Sequence, residues 1–303
     1  MNKTKGILLT IFATMSFGFL PFFAKTAYAN GFNPYSFSLY RSLFAAVALF
    51  IFIKLYKIDY KATKAQYFTL FKVSLFGYSL MMLTLNTSLL YMSSGLAMTL
   101  HFIYPVVVML ASVFLYKEKI GAKKVLALIL SISGIFFLMG FGSFSTISLL
   151  GFWLALISGI LYAYYILSVS NSNIKNLSGF VITFYLSLFN TYILFTISFV
   201  TGNMSMNYNY RGLLSTVMVA LVCNLFGMVA FQTGLKYITA TASSILSTFE
   251  PITSLVVGII IFNEYLAWYH FVGSILIIIS VIIVSLTEKK MKEVANESKY
   301  EIV

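Results

Sequence analysis

Apolar residues run through this chain in long blocks separated by short polar connections. The blocks lack the strict alternation of a half-buried strand. Ten of them, the fifth with help from its flanks, reach the roughly 20 residues with which a helix crosses a hydrocarbon layer about 30 Å thick. The predicted spans cover 6–28, 35–54, 67–90, 96–116, 125–140, 150–168, 181–200, 213–233, 242–262 and 265–286. The pattern predicts an all-α membrane protein with ten transmembrane helices.

The blocks also repeat. Residues 91–138 align with 237–284 at a constant offset of 146, which puts Pro105 on Pro251 and Glu118 on Glu264. Upstream, Asn86-Thr87 falls on Gln232-Thr233 and Tyr78 on Asn224, while Gly6 and Gly151 open similar helices. The chain divides into a first five-helix repeat (1–141), an inter-repeat link (142–149), a second repeat (150–288) and a cytoplasmic tail (289–303). Five is an odd number, so the second copy enters the membrane from the opposite side. The two repeats are expected to be inverted, an arrangement by which transporters expose one central site to either face in turn.

Composition sharpens this picture. Charged residues make up 9% of the 303, against about 25% in soluble domains, whose surfaces must hold water. The net charge of +12 would suggest a nucleic-acid partner in a soluble protein. Here the charges sort by side. With the N-terminus inside, the cytoplasmic ends collect Lys3, Lys5, Lys54, Lys57, Lys61, Lys64, Lys117, Lys119, Lys123, Lys124, Lys175, Lys236 and the lysines of the tail, while the outer ends receive only Lys25 and Arg211. That bias places both termini in the cytoplasm of a multi-pass cell-membrane protein and removes nucleic acid as a partner. Ala27-Tyr28-Ala29 resembles a signal-cleavage site, but the apolar run before it exceeds a signal core and belongs to the repeat. The tail from Glu288 onward is expected to be a short, solvated end.

Little in the sequence suggests catalysis. The single cysteine, Cys223, excludes an intrachain disulfide, and the two histidines, His101 and His270, have no spacing for zinc. No phosphate loop, nucleotide fingerprint or nucleophile elbow stands in a credible context. No enzyme activity, cofactor or metal is expected.

Polar groups within spans carry the candidate chemistry, because a charge in hydrocarbon needs a cavity, a proton or a partner. Glu250 is the only acidic residue inside an apolar block, and it is a candidate coupling site or a helix-break residue beside Pro251. Arg41 lies about 10 Å into its helix at 1.5 Å per residue; it can snorkel, pair with Glu250 or hold a substrate carboxylate. Lys72, one turn inside the third span, is expected to snorkel. His101 and Tyr104 precede Pro105, and Tyr104 is the repeat mate of Glu250, so two kinked helices present polar groups from equivalent positions, with Pro105 and Pro251 as hinges. On the third span Tyr78, Met82 and Asn86 share one face, mirrored by Asn224, Met228 and Gln232. Each stripe fits cavity lining or interhelical packing. Tyr162, with Tyr165, fits an aromatic wall. Ser131, Ser133, Gly134, Gly273 and Ser280 permit close helix approach, within the chain or in a homodimer.

Phe249-Glu250-Pro251 followed by Phe262-Asn263-Glu264 and Gly273 resembles the second half of an EamA-type transporter of the drug/metabolite transporter superfamily. Tyr104-Pro105 with Tyr116-Lys117-Glu118 resembles the same helix-end motif in the first half; Asn33-Pro34, Arg41 and Ser16-Phe17-Gly18 also fit. Thirteen residues separate Pro from Glu in each half, and the resemblance covers nearly the whole chain. Phe17 and Tyr162 stand where such transporters often carry tryptophan. The resemblance implies ten spans, a central cavity lined by the first four helices of each half, and export of amino acids or other small metabolites. Two rival readings are efflux of lipophilic cations, suggested by the aromatic content and lone carboxylate, and a membrane scaffold or receptor without flux.

Overall fold

A computed structural model describes residues 3–88, 91, 94–138, 148–205, 207–262 and 267–300. Helices form every regular element among them. The first half holds α1 (Lys3–Phe17), α2 (Leu20–Ala29), α3 (Pro34–Leu55), α4 (Lys64–Lys72), a π-helical segment (Val73–Ser79), α5 (Leu80–Ser88), α6 (Ser94–His101), α7 (Tyr104–Tyr116) and α8 (Ala122–Leu138). The second half holds α9 (Leu149–Asn171), α10 (Gly179–Val200), α11 (Tyr210–Val219), a second π-helical segment (Ala220–Met228), α12 (Val229–Gly234), α13 (Ala240–Leu246), a 3₁₀ turn (Ser247–Phe249), α14 (Glu250–Phe262) and α15 (Trp268–Tyr300).

Joined end to end, these elements make nine stretches long and apolar enough to cross a membrane among the described residues. The expected fifth span appears as α8, 17 residues long, and its continuation at 139–147 lies outside the described residues, as does Glu264. Local chemistry sets the helix starts. The Asn33 side chain accepts from the Ser36 amide at 2.8 Å with Pro34 in the first turn, Thr63 and Gln66 form a capping box, and Asn209 accepts from the Arg211 and Gly212 amides. Each side chain satisfies a donor that the helix cannot. Thr63 and Asn209 stand 146 apart, so the third helix of both halves begins with a cap.

Two pairs of corresponding helices, α3 with α10 and α8 with α15, pack antiparallel. Along α3 and α10, Ser36 meets Ser205 just past the end of α10, Ser42 meets Asn190 in the middle, and Phe52 stacks on Phe180 at the far end. Along α8 and α15, Lys124 pairs with Glu288, Ser280 donates to the Ala127 carbonyl, and Gly134 lies against Gly273 and Ile277. A Cβ on Gly134 would stand 2.7 Å from Ile277 Cγ1 and 2.8 Å from the Gly273 carbonyl; the absent side chains let two backbones touch. Gly134, Gly273 and Ser280 therefore serve packing within the chain. Large apolar side chains such as Phe114, Phe199, Ile260 and Trp268 point outward and are mostly exposed, as a hydrocarbon solvent permits.

One expectation needs correction. Glu288 does not begin a solvated tail: it is completely buried, its carboxylate 3.0 Å from Lys3 and 2.9 Å from Lys124, and α15 continues through Tyr300. Lys124 also meets Glu118 at 3.2 Å and Thr239 at 3.1 Å, while Thr241 donates to Glu118. An apolar pattern marks where a helix can end in lipid, but it carries no information about which charges meet across the bundle. Lys72 is exposed at the side of the bundle, its ammonium 4.6 Å from the Phe68 ring centroid.

Candidate functional site

Three helix breaks surround the middle of the bundle. The first separates α1 from α2 at Gly18-Phe19, ahead of Pro21. The second is the Phe102-Ile103 turn before Tyr104-Pro105, and the third the 3₁₀ turn before Glu250-Pro251. Proline lacks an amide hydrogen and obstructs the preceding turn, so both predicted proline sites interrupt their helices. Local bonds hold both turns: Val106 donates to the Ile103 carbonyl, and the Glu250 amide donates to the Ser247 carbonyl that Pro251 leaves without its helical donor. Pro21 has no repeat mate, and α9 runs without a break for 23 residues.

The two π-helical segments occupy corresponding stretches of the halves. A π turn widens the helix and re-aims its side chains, and such turns are often found at functional sites. Here one carries Tyr78 and the other Asn224.

These elements enclose a cavity of about 190 Å³. Arg41, Tyr78, Asn86, His101, Tyr162, Asn224 and Glu250 line it, with an apolar wall that includes Phe17, Met81, Met82, Met98 and Met228. Arg41 is 9% exposed. Its Nε donates to Asn224 Oδ1 at 3.1 Å and its Nη2 lies 3.5 Å from the Tyr78 hydroxyl. The two repeat mates thus converge on one guanidinium. Among the described residues Asn224 Nδ2 is a buried donor with no acceptor. Among the described residues no ion pair joins Arg41 to Glu250, so the cavity holds a cationic and an acidic side chain that do not neutralise each other directly.

His101 Nδ1 lies 2.9 Å from Ser158 Oγ, which itself donates to the Ala155 carbonyl at 2.6 Å. The hydroxyl proton is thereby committed, and Ser158 is left to accept from the imidazole. Close approach of α9 makes this contact, since a Cβ on Gly159 would sit 2.5 Å from the His101 carbonyl. Tyr162 packs edge-on against Tyr104 at 4.7 Å between centroids.

Seven of the nine expected site residues therefore line one hollow. Tyr104 and Gln232 do not. Tyr104 is buried behind Tyr162, and Gln232 Nε2 donates to the Tyr165 hydroxyl away from the lining. Phe17, Met81 and Met98 reach the cavity without having been singled out for it. The break at Gly18 and Pro21 was the available signal for Phe17; the methionines, apolar residues among many, had none.

A second cavity, of about 350 Å³, lies by Lys3, Glu118, Lys175 and Glu288 and shares no lining residue with the first.

A solved crystal structure, described only as that of a protein, superposes with a TM-score of 0.79 over 95% of this chain and 99% of its own, at 13% identity. At that identity the likeness is one of fold. No curated protein matches the chain. The EamA-like transporter family matches twice, over residues 4–140 and 149–286, with the boundary between the matches at the link between the repeats. Two repeats account for nearly all of this membrane protein, and the chain belongs to the EamA-like transporter family of small-molecule transporters.

Proposed function

We propose that the chain is a secondary transporter that exports a small amphipathic metabolite, an amino acid or close relative, by alternating access through ten membrane crossings with both termini cytoplasmic. The observation that carries the substrate class is the presence of both Arg41 and Glu250 in the lining of one largely apolar cavity. A zwitterion meets both requirements: its carboxylate can reach Arg41 and the spare donor of Asn224, and its ammonium can reach Glu250. Charge-assisted hydrogen bonds of this kind are about twice as strong as neutral ones, and a low-dielectric site makes an unmatched charge costly. Tyr78 and Tyr162 would wall the solute, and Asn86 and His101 would add polar contacts. Pro105 and Pro251 would act as hinges, since a helix already interrupted there can swing with few bonds to break.

Efflux of lipophilic cations is the second reading, favoured by Glu250 among aromatic rings. The Arg41 charge in the same hollow disfavours it.

Counterflow of radiolabelled amino acids into proteoliposomes tests the proposal, with cationic dyes as the competing substrates. Glu250→Gln should lower amino-acid flux at least tenfold while the folded yield stays near wild type. Dye flux without amino-acid flux would overturn the reading.

A further inference from the structure

Met82 and Met228 stand 146 residues apart, on corresponding helices of the two halves, and both line the central cavity. Each thioether is held from behind by a buried polar side chain. Asn190 Nδ2 lies 3.7 Å from Met82 Sδ, and the Tyr165 hydroxyl lies 3.6 Å from Met228 Sδ. Neither holder is free to turn. Asn190 also donates to Ser42 Oγ and accepts from Ser79 Oγ, and Tyr165 is fixed by Gln232. Asn190 and Tyr165 occupy positions that do not correspond in the two halves, so the repeat alone does not account for two anchored sulfurs.

We infer that Met82 and Met228 form a two-fold-related thioether clamp that seats an aromatic or similarly polarisable side group of the solute at the centre of the bundle. The clamp rests on the amphipathic-solute reading above and specifies its apolar end. The physical argument concerns symmetry. In an inverted repeat, one half takes on the conformation of the other as the cavity changes sides. A surface made of repeat mates with the same chemistry then presents the same contact to the solute in both states. The polar lining cannot do this, because His101 corresponds to Ser247 and Tyr78 to Asn224. Sulfur makes favourable contacts at aromatic edges, and an unbranched side chain adapts to shape. Anchoring the sulfur restrains the freedom that makes methionine poorly selective.

The test uses the full chain in detergent, labelled with ¹³C-methyl methionine, titrated with phenylalanine and with alanine as probes. Met82→Leu and Met228→Leu assign the two methyl signals. Leucine roughly conserves volume while removing the sulfur, so both variants should fold. Phenylalanine should move both methyl signals by its ring current, and alanine should leave them near their free positions. Each substitution should weaken phenylalanine binding about two- to tenfold, as loss of a sulfur–aromatic contact does, and alanine binding by less. In proteoliposomes the loss should be equal from either side of the membrane. Phenylalanine that binds without moving either methyl, or a loss confined to one side for each variant, would overturn the clamp while leaving the amphipathic-solute reading intact. Failure of both amino acids to bind the wild-type protein would overturn that reading and the clamp together.

Discussion

Glu288→Gln is the most telling stability experiment, because Lys124 is a lysine with 2% exposure whose charge is compensated by Glu288 and Glu118. The Lys124–Glu288 contact is 2.9 Å. At an effective dielectric of about 20 the attraction is roughly 6 kcal/mol. Desolvation of both ions takes back most of that, so the pair as a whole contributes little. Removing one partner differs from removing both, since an uncompensated buried charge costs about 3–5 kcal/mol. Glu118 stays 3.2 Å from Lys124 and limits the damage, which puts Glu288→Gln near the lower end, about 3 kcal/mol. For a chain of this size that is a fall of roughly 6 °C in the thermal midpoint. Lys124→Met removes the charge that Glu288 compensates, but Lys3 at 3.0 Å still pairs with the carboxylate, so its cost should be smaller. The double variant Lys124→Met/Glu288→Gln should recover most of the loss, because neither ion remains. Midpoints of the four proteins in one detergent complete the cycle. A double variant no more stable than Glu288→Gln alone would refute the account, as would a single variant within about 0.5 kcal/mol of wild type.

Three further outcomes are expected. Gly134→Leu should force α8 from α15 and cost about 1–3 kcal/mol through overpacking, read as a lower thermal midpoint; Ile132→Leu, on the exposed side of α8, should be neutral. Asn33→Ala removes the cap of α3 and the bond to the Asn203 carbonyl at 2.8 Å, and about 1–2 kcal/mol should be lost, read as faster amide exchange over 34–37. Asn190→Ala strips Ser42 and Ser79 of a buried partner and should destabilise by about 2–3 kcal/mol, whereas Asn203→Ala at the exposed end should cost less than 0.5 kcal/mol, both measured by thermal unfolding.

What the sequence determined by itself is the class of solvent around the chain and the rhythm of the fold. Long apolar blocks cannot hide from water in a chain 9% charged, and an offset of 146 without gaps tells which positions correspond. Polar residues inside spans were visible for the same reason, since hydrocarbon makes each one costly. Tertiary structure decided how those residues meet. Tyr78 and Asn224 share Arg41 only because π turns re-aim two corresponding helices, and hydropathy does not distinguish a π turn from an α turn. Tyr104 corresponds to Glu250 in sequence, yet edge-on packing against Tyr162 hides it behind the lining. Glu288 read as the start of a wet tail because it follows the last apolar block, and its two lysine partners come from residues 285 and 164 positions earlier. Periodicity is a property of one helix, whereas partnership depends on how several helices cross.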